Sequence, residues 1–276
     1  MNDFIQFASS HGLVIDTLSF SRIVRCATES KPNKKNGAYF YAGDFGWVQD
    51  HAVHESPVIW FSGSIKDHGQ AKQKIKERTA KYYQYRARIN SEAAKKAQWI
   101  LSQCELNLHP YLAKKGFAEM SANVWYKDDE SILVIPMYKG DSVVGCQMIN
   151  AEGNKKFLYG QSSQDAYFQI GNGNSVFFVE GYASGLSLHV ILQSLKINHT
   201  IYVTFSASNL GRFAKRMDGF VVADNDHSGV GEKVALDSGK RFWMPPVIGF
   251  DINDYHVKFG VFKVTQEIKK LIYSKP

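Results

Sequence analysis

The chain has 276 residues, 44% of them hydrophobic and 21% charged, so it is long enough to bury a core and has an ordinary globular composition. No apolar run reaches the roughly 18 residues of a membrane-spanning helix, and the N-terminus lacks the layout of a signal peptide. The three cysteines are Cys26, Cys104 and Cys146, and this wide spacing excludes a disulfide framework or a four-cysteine zinc ribbon. We therefore expect a cytoplasmic protein that does not enter a membrane.

The formal net charge of +7 is concentrated in the first third of the chain. Residues 1–96 hold 15 Lys and Arg against 9 Asp and Glu, and within them 66–96 holds 10 bases against 3 acids. Such a stretch suits a polyanion, but a solvated helix face gives the same pattern. Charge alone therefore leaves nucleic-acid binding open.

Residues 1–65 are predicted to form a small, mostly β module. Short aromatic runs alternate there with Gly, Asp, Asn and Pro turn residues, and a basic loop occupies 31–37. Residues 66–104 carry strong helix formers, with apolar residues at three- and four-residue steps. We expect this segment to be a basic helix that leads into the rest of the chain.

Residues 105–172 are predicted to form an antiparallel meander. Three apolar runs, at 125–126, 132–137 and 143–149, are separated by turns rich in Asp, Gly and Asn, and the meander ends at 155–158.

Residues 173–276 follow a Gly-Asn-Gly-Asn boundary and alternate strand with helix, which predicts a mainly parallel α/β sheet. The nearly continuous apolar runs typical of strands buried on both faces are 175–180, 200–205 and 219–224. The predicted helices are 182–195, 208–217, 230–239 and 261–273. The overall class is α/β, or α+β when the antiparallel parts are included.

Carboxylates stand at the ends of two of these strands. Glu180 ends the first strand and is followed by Gly181, whereas Asp224 and Asp226 follow the third strand. Ligands of such sheets bind beyond the carboxyl ends of the strands, and oxygen-rich sites of this kind suit Mg²⁺. Each motif alone is also explained by a helix start or a turn, but both together on one sheet predict a metal site.

Three motifs in this part of the chain resemble a known family. They are Glu180-Gly181 after a hydrophobic strand, Asp224-x-Asp226-x-x-Gly229 after another, and Asp251-Ile252-Asn253-Asp254 further on. The first two resemble the Rossmann-like TOPRIM domain of bacterial-type primases, topoisomerases and several nucleases, and the third resembles primases of phages and plasmids. The preceding residues, with Lys155-Lys156-Phe157-Leu158, are similar to the basic subdomain of phage and plasmid primases.

The resemblance covers residues 97–260 and extends only loosely to 1–96. Many cellular primases carry Asp at the position of Ser184, so one polar contact differs here. The sequence also shows no zinc ribbon before the core and no helicase after it. We therefore expect a catalytic core without those two modules.

The resemblance implies a role for each carboxylate. Asp224 and Asp226 would hold Mg²⁺ or Mn²⁺ against the phosphates of an incoming nucleotide, and Glu180 would act as general acid/base or as a third metal carboxylate. Asp251 or Asp254 would add a further metal contact. Attack of a 3′-hydroxyl on the α-phosphorus then needs mainly positioning and charge neutralisation.

Contacts to the template or the nucleotide are implied at three further positions. Lys155 and Lys156 would meet phosphates as point charges, unless they form a solvated hairpin end. Asn209 is a nucleotide-contact candidate, although Ser208 or Asn209 serves equally well as a helix cap.

The first 96 residues would have to read the template in place of a zinc ribbon. The candidate phosphate contacts are Lys34, Lys35, Arg78 and Arg86. Tyr39 and Trp47 are stacking candidates, though aromatic residues of this kind are more often core. His51-x-x-His54 with the distant Cys26 is a poor zinc site, so no zinc is expected.

Three functions follow from these patterns. The first is a DNA primase that makes short RNA primers on a single-stranded DNA template from nucleoside triphosphates, with a replicative helicase supplied in trans. The second is a TOPRIM nuclease that uses the same metal site, which the basic subdomain argues against. The third is a non-catalytic single-stranded DNA-binding replication factor, which has no need for a carboxylate cluster that repels DNA.

Overall fold

The computed structural model describes residues 3–20, 22–54, 56–63 and 68–273, and for 68–76, 78–79 and 81–82 it describes the backbone alone. The chain divides into two compact units, Met1–Gln84 and Tyr85–Pro276. Both units mix helices with sheets, which confirms the mixed α/β class. The four-part division expected from the sequence is finer than this one and stays a prediction.

The first unit is a five-stranded antiparallel sheet with one helix. Its elements are α1 (Asp3–Ser10), β1 (Leu13–Val14), β2 (Ile23–Thr28), β3 (Gly37–Tyr41), β4 (Phe45–Asp50) and β5 (Val58–Phe61), and the strands pair in chain order. Helix α1 was not predicted from the sequence. It belongs to the core because Phe4 is fully buried and its ring lies 5.3 Å from that of Trp60.

A 35-residue helix, α2 (His68–Ser102), passes from the first unit into the second, as the pattern over 66–104 predicted. Its last turns belong to the second unit. There the buried Ala97 and Ile100 pack with Val134, Cys146 and Leu158 in one apolar cluster.

The predicted antiparallel meander is present in the second unit. The elements are β6 (Glu105–Asn107), α3 (Pro110–Lys114), β7 (Ala122–Lys127), β8 (Glu130–Lys139), β9 (Ser142–Asn150) and β10 (Lys155–Phe157), and the strand order is β10-β9-β8-β7-β6. Side chains alternate between its two faces. Val134 and Cys146 pack with the end of α2, whereas Leu133, Ile135 and Ile149 join the core of the following α/β layer.

The remaining residues form a five-stranded, mainly parallel sheet with helices. The elements are β11 (Phe168–Ile170), β12 (Ser175–Val179), α4 (Tyr182–Ser194), β13 (His199–Val203), α5 (Ala207–Arg216), β14 (Phe220–Val222), α6 (Val230–Asp237), β15 (Phe242–Trp243) and α7 (Ile252–Tyr273). The order is β11-β13-β12-β14-β15, in which only β11 pairs antiparallel. The sheet is buried on both faces: Phe177 and Val179 face α4 and α7, whereas Phe178 faces α5 and α6.

The structure corrects the sequence prediction at three places in this layer. The short edge strands β11 and β15 were not predicted, because runs of two or three residues carry too little periodicity. The helix expected at 261–273 is present as the second half of α7, after an interruption at Gly260, whose φ is 81°. The first half, which begins at Ile252, was not predicted. Among the described residues, no helix is both long enough and apolar enough to cross a membrane.

Candidate functional site

Two of the predicted carboxylates lie at one edge of the parallel sheet. Glu180 directly follows β12, and Asp224 comes two residues after the end of β14. The two strands are neighbours, with Val179 paired to Val222, so their carboxyl ends reach the same edge. Both acidic side chains are partly buried there.

A third carboxylate reaches this edge through a backbone bridge. Asn225 donates its N–H to the carbonyl of Phe250 at 3.0 Å, and this bridge brings the start of α7 beside Asp224. Asp251 is the cap of that helix, because its Oδ1 accepts the N–H of Asp254 at 2.8 Å. Asp251 therefore belongs to the same acidic edge.

Asp226 is exposed and held by its own turn. Its Oδ1 accepts hydrogen bonds from the N–H of Ser228 at 2.9 Å and from the Ser228 hydroxyl at 2.7 Å. Gly229 then adopts a left-handed conformation, φ 65°, and α6 begins. Gly231 lets α6 lie against the backbone of Asp224, since a Cβ there would collide with the Asp224 carbonyl oxygen.

The charges of these carboxylates affect one another's pKa values. Burial raises the pKa of Asp224 to about 8, and the charges of Glu180, Asp251 and Asp226 add to the rise. Burial also raises the pKa of Glu180, and the Asp226 and Asp251 charges act in the same direction. The cation of Lys155 opposes both shifts. The structure thus brings together four of the five predicted carboxylates and one predicted lysine.

The two predicted lysines of β10 lie on opposite faces of their sheet. Lys155 is paired with Ile149, whose side chain faces the α/β layer, and its charge acts on Glu180 and Asp224. Lys156 is paired with Met148, which faces α2. Only Lys155 therefore faces the carboxylates.

Asp254, the fifth predicted carboxylate, is engaged elsewhere. Its Oδ1 lies 2.9 Å from the ammonium of Lys115, and its other oxygen accepts the N–H of Asp251 at 3.4 Å. Asp254 thus takes part in the cap of α7 and also pairs with Lys115, which lies just after α3. Of the two alternatives, Asp251 is the one whose charge acts on Glu180 and Asp224.

Sequence reasoning missed the polar network beneath this cap. Asn253 is fully buried, and its amide donates to the carbonyl of Lys115 at 2.8 Å and to the hydroxyl of Ser187 at 3.0 Å. His256 meets the same hydroxyl at 3.0 Å. The Asp-x-x-Asp spacing at 251–254 was the available sign of a capped helix. Ser184, the position that departs from the resemblance, is buried in α4.

Asn209 is a structural residue in this protein. It is buried, its Nδ2 donates to the carbonyls of Ser163 at 2.6 Å and Thr204 at 3.1 Å, and its Oδ1 accepts the N–H of Asp165 at 3.1 Å. Because the nitrogen and the oxygen of its side-chain amide both have partners within the protein, Asn209 does not offer a nucleotide a free polar atom. The cap of α5 is Ser206, which corrects the expectation of Ser208 or Asn209.

The candidates in the first unit divide between core and surface. Tyr39 and Trp47 are buried, 1% and 7% exposed, so they are core residues and do not form a stacking surface. Lys34 and Lys35 are exposed in the loop before β3. Arg86, in α2, is partly buried, and the Arg78 side chain lies outside the described residues.

The histidines of the first unit have partners other than a metal. His51 Nε2 lies 2.7 Å from the guanidinium of Arg25, and burial together with that charge lowers the pKa of His51. His54 Nδ1 accepts the N–H of Asp50 at 3.0 Å. Each of these two rings therefore has one nitrogen in a contact within the first unit.

The carboxylate edge suits a hydrated cation. Across the described residues, no three His, Cys, Asp or Glu side chains converge tightly enough to enclose an ion on their own. Mg²⁺ does not need such an enclosure, because it keeps several waters and typically takes one or two protein carboxylates plus phosphate oxygens. Buried acids that raise one another's pKa are relieved by a divalent cation, so Asp224 with Asp226 or Glu180 fits this ligand.

Comparison with solved structures gives a distant structural likeness. No family model matches the chain, and no curated protein matches it. A chain from a bacteriophage T7 assembly, in which lagging-strand DNA polymerase interacts with primase domains of two gp4 subunits bound to an RNA/DNA hybrid and dTTP, has 15% sequence identity and a TM-score of 0.45. The match covers 62% of this chain and 92% of that one. At this level the likeness identifies neither a family nor a function.

We expect Asp224→Asn to stabilise the protein near neutral pH in the presence of EDTA. A folded-state pKa near 8, against an ordinary value of 3.8, means that the folded wild type binds the extra proton between these values. The wild-type free energy of unfolding should therefore fall as pH rises through this window. The amide carries no charge, so the variant should gain on the order of 1–3 kcal/mol at pH 8. Urea unfolding at several pH values measures the difference.

The matched control is Asp237→Asn, which changes an exposed aspartate at the end of α6. Its free energy of unfolding should depend on pH as that of the wild type does. If Asp224→Asn also showed the wild-type dependence, Asp224 would be an ordinary solvated acid that does not belong to the acidic edge.

Asn209→Ala should destabilise the second unit. The substitution leaves the carbonyls of Ser163 and Thr204 and the N–H of Asp165 without their side-chain partner, which costs about 2–4 kcal/mol. Thermal unfolding should show a clearly lower midpoint, whereas Asn174→Ala, at an exposed asparagine, should leave it nearly unchanged. An unchanged midpoint for Asn209→Ala would contradict this structural role, and Asn209 would again be a candidate for a nucleotide contact.

Proposed function

We propose that this protein is a DNA primase-like nucleotidyltransferase that makes short RNA primers on single-stranded DNA in phage or plasmid replication. The observation that carries the proposal is the placement of Glu180, Asp224 and Asp251 at one edge of a parallel sheet, where the charges of Asp226 and Lys155 also act on them. We further propose that residues 173–276 form a TOPRIM domain. Acidic groups that destabilise one another fit a metal-dependent reaction on phosphates better than a surface that only binds DNA.

Each group at the edge has a chemical task in this proposal. Asp224 and Asp226 would hold Mg²⁺ or Mn²⁺, which supplies charge neutralisation for the nucleotide phosphates when bound. Glu180, whose pKa is raised, suits a carboxyl that takes the proton from an attacking 3′-hydroxyl. Asp251 would orient the same site from the start of α7.

Lys155 would bind the triphosphate of the incoming nucleotide. It faces the carboxylates from the antiparallel sheet, and a lysine serves as a point charge for phosphate oxygens. A cation on this side balances the repulsion between the acidic edge and a polyanionic substrate. The partners we propose are a single-stranded DNA template, nucleoside triphosphates and a replicative helicase supplied in trans, in the cytoplasm of a bacterial host.

Replacing both aspartates, Asp224→Ala with Asp226→Ala, should abolish primer synthesis. The assay contains circular single-stranded DNA, labelled ribonucleotides and Mg²⁺ or Mn²⁺, and short labelled RNA is the expected wild-type product. Loss of the charged groups at the edge should lower the rate by at least about a thousandfold. Thermal unfolding of the double variant confirms that it is folded.

The same reaction separates the other functions. Shortened DNA without RNA products would identify a nuclease, and a gel shift without either product would identify a binding protein. RNA synthesis that survives in the double variant would place the reaction at another site. The matched control is the Asp237→Asn variant, which keeps the acidic edge intact and should retain full synthesis.

Lys155→Ala should raise the KM for nucleoside triphosphates by about tenfold or more, since a charge-assisted contact to phosphate contributes roughly 1.5–3 kcal/mol. The comparison is Lys139→Ala, at an exposed lysine where β8 ends. Steady-state synthesis at varied nucleotide concentration separates KM from kcat. Equal KM values for Lys155→Ala and the wild type would remove Lys155 from the nucleotide site.

A further inference from the structure

A groove of about 310 Å³ lies on the face of the antiparallel sheet that is turned away from the carboxylates. Its lining residues come from the end of α2 and from β7 to β10: Lys96, Ile100, Trp125, Lys127, Asp128, Glu130, Ile132, Met148, Asn150, Asn154, Lys156 and Leu158. All of them lie within the second unit.

Strand alternation places this groove on the α2 face. Trp125 pairs with Ile132, which in turn pairs with Asn150, so the three form a row across β7, β8 and β9. Lys156 pairs with Met148 on the same face. Because neighbouring residues of a strand point to opposite faces, this groove and the carboxylate edge are separate sites.

Two tryptophans form an aromatic corner beside the groove. The ring of Trp99, in α2, lies 6.0 Å from that of Trp125 with their planes at 82°. Trp99 is 54% exposed, whereas Trp125 is only partly exposed. The corner thus leaves more than half of the Trp99 side chain in contact with solvent.

Lysines surround this corner. The ammonium of Lys127 lies 5.7 Å from the centre of the Trp125 ring and 3.5 Å from the carboxylate of Asp128. Lys96 and Lys156 are exposed, and in the described part of the chain neither has a carboxylate within 4.0 Å. Two cations are therefore available to a ligand, while Asp128 and Glu130 line the groove beside Lys127.

We propose that this groove binds single-stranded nucleic acid, with one base stacked on the Trp99–Trp125 corner and phosphates held by Lys96 and Lys156. Base stacking on aromatic side chains combined with lysine contacts to the backbone is the usual basis of single-strand binding. The proposal goes beyond the function proposed above, because binding here requires neither the carboxylates nor a metal.

A single strand fits the groove better than other polyanions do. In a duplex the base faces are already stacked, so an exposed indole gains nothing from them. An acidic peptide would use the lysines, but Asp and Glu side chains offer no planar base to stack on the tryptophans. The volume is at the lower end of small-ligand sites, which suits one unstacked nucleotide.

The test measures binding of a fluorescent oligo(dT) in EDTA at several salt concentrations. Trp99→Ala should weaken the affinity by about fivefold or more, because stacking on one aromatic side chain is lost. Lys156→Ala should also weaken it and should reduce the slope of log K against log salt by about 0.7, the value for one lost phosphate contact to a single strand. The variant Asp224→Ala with Asp226→Ala should keep the groove affinity, which separates this proposal from the primase proposal.

The matched controls are Phe262→Ala, at an aromatic residue that is 75% exposed in α7, and Lys139→Ala. Both should bind as the wild type does. Photocrosslinking of an oligonucleotide that contains 5-iodouracil should label the peptide carrying Trp99 or the one carrying Trp125. The proposal is overturned if Trp99→Ala and Lys156→Ala bind with wild-type affinity and slope, if the crosslink maps elsewhere, or if poly-glutamate displaces the oligonucleotide as well as unlabelled oligo(dT) does.

Discussion

The repulsion between acidic groups at one sheet edge is the constraint on which the rest of the second unit depends. Parallel pairing of β12 and β14 brings Glu180 and Asp224 to the same edge, and the Asn225–Phe250 bridge adds Asp251. Burial and like charge raise the pKa of Glu180 and of Asp224, so this arrangement lowers stability wherever the acids are ionised. The unit must therefore hold the edge in place through interactions made elsewhere.

Those interactions are polar ties and close packing beside the edge. Asn209 fastens the loop before β11 to the start of α5 through the N–H of Asp165 and the carbonyl of Ser163, and Asn253 joins α7 to α4 and to the end of α3. Gly231 allows α6 to lie against the backbone of Asp224. Asn253 and Gly231 thus fix the elements beside Asp251 and Asp224.

How much the sequence could predict follows from the range of each interaction. Strands β12, β13 and β14 were predictable because continuous apolar runs are local patterns, and so were the carboxylates that follow β12 and β14. The edge strands β11 and β15 exist only through pairing with distant strands. The cap residue of α5 was misplaced because Ser206, Ser208 and Asn209 are equally good caps by residue type.

The adjacent residues Lys155 and Lys156 show why strand geometry matters for function in this protein. Adjacent in sequence and alike in chemistry, they were predicted to meet one ligand together, but the two-residue period of β10 turns one toward the carboxylates and the other toward α2. The antiparallel sheet therefore separates two surfaces, each of which receives one of these lysines. One of them includes the partly buried acids Glu180 and Asp224, and the other includes the exposed indole of Trp99. In the two functions proposed above, the reaction would take place on one face and a single strand would bind on the other, with β10 contributing a cation to each.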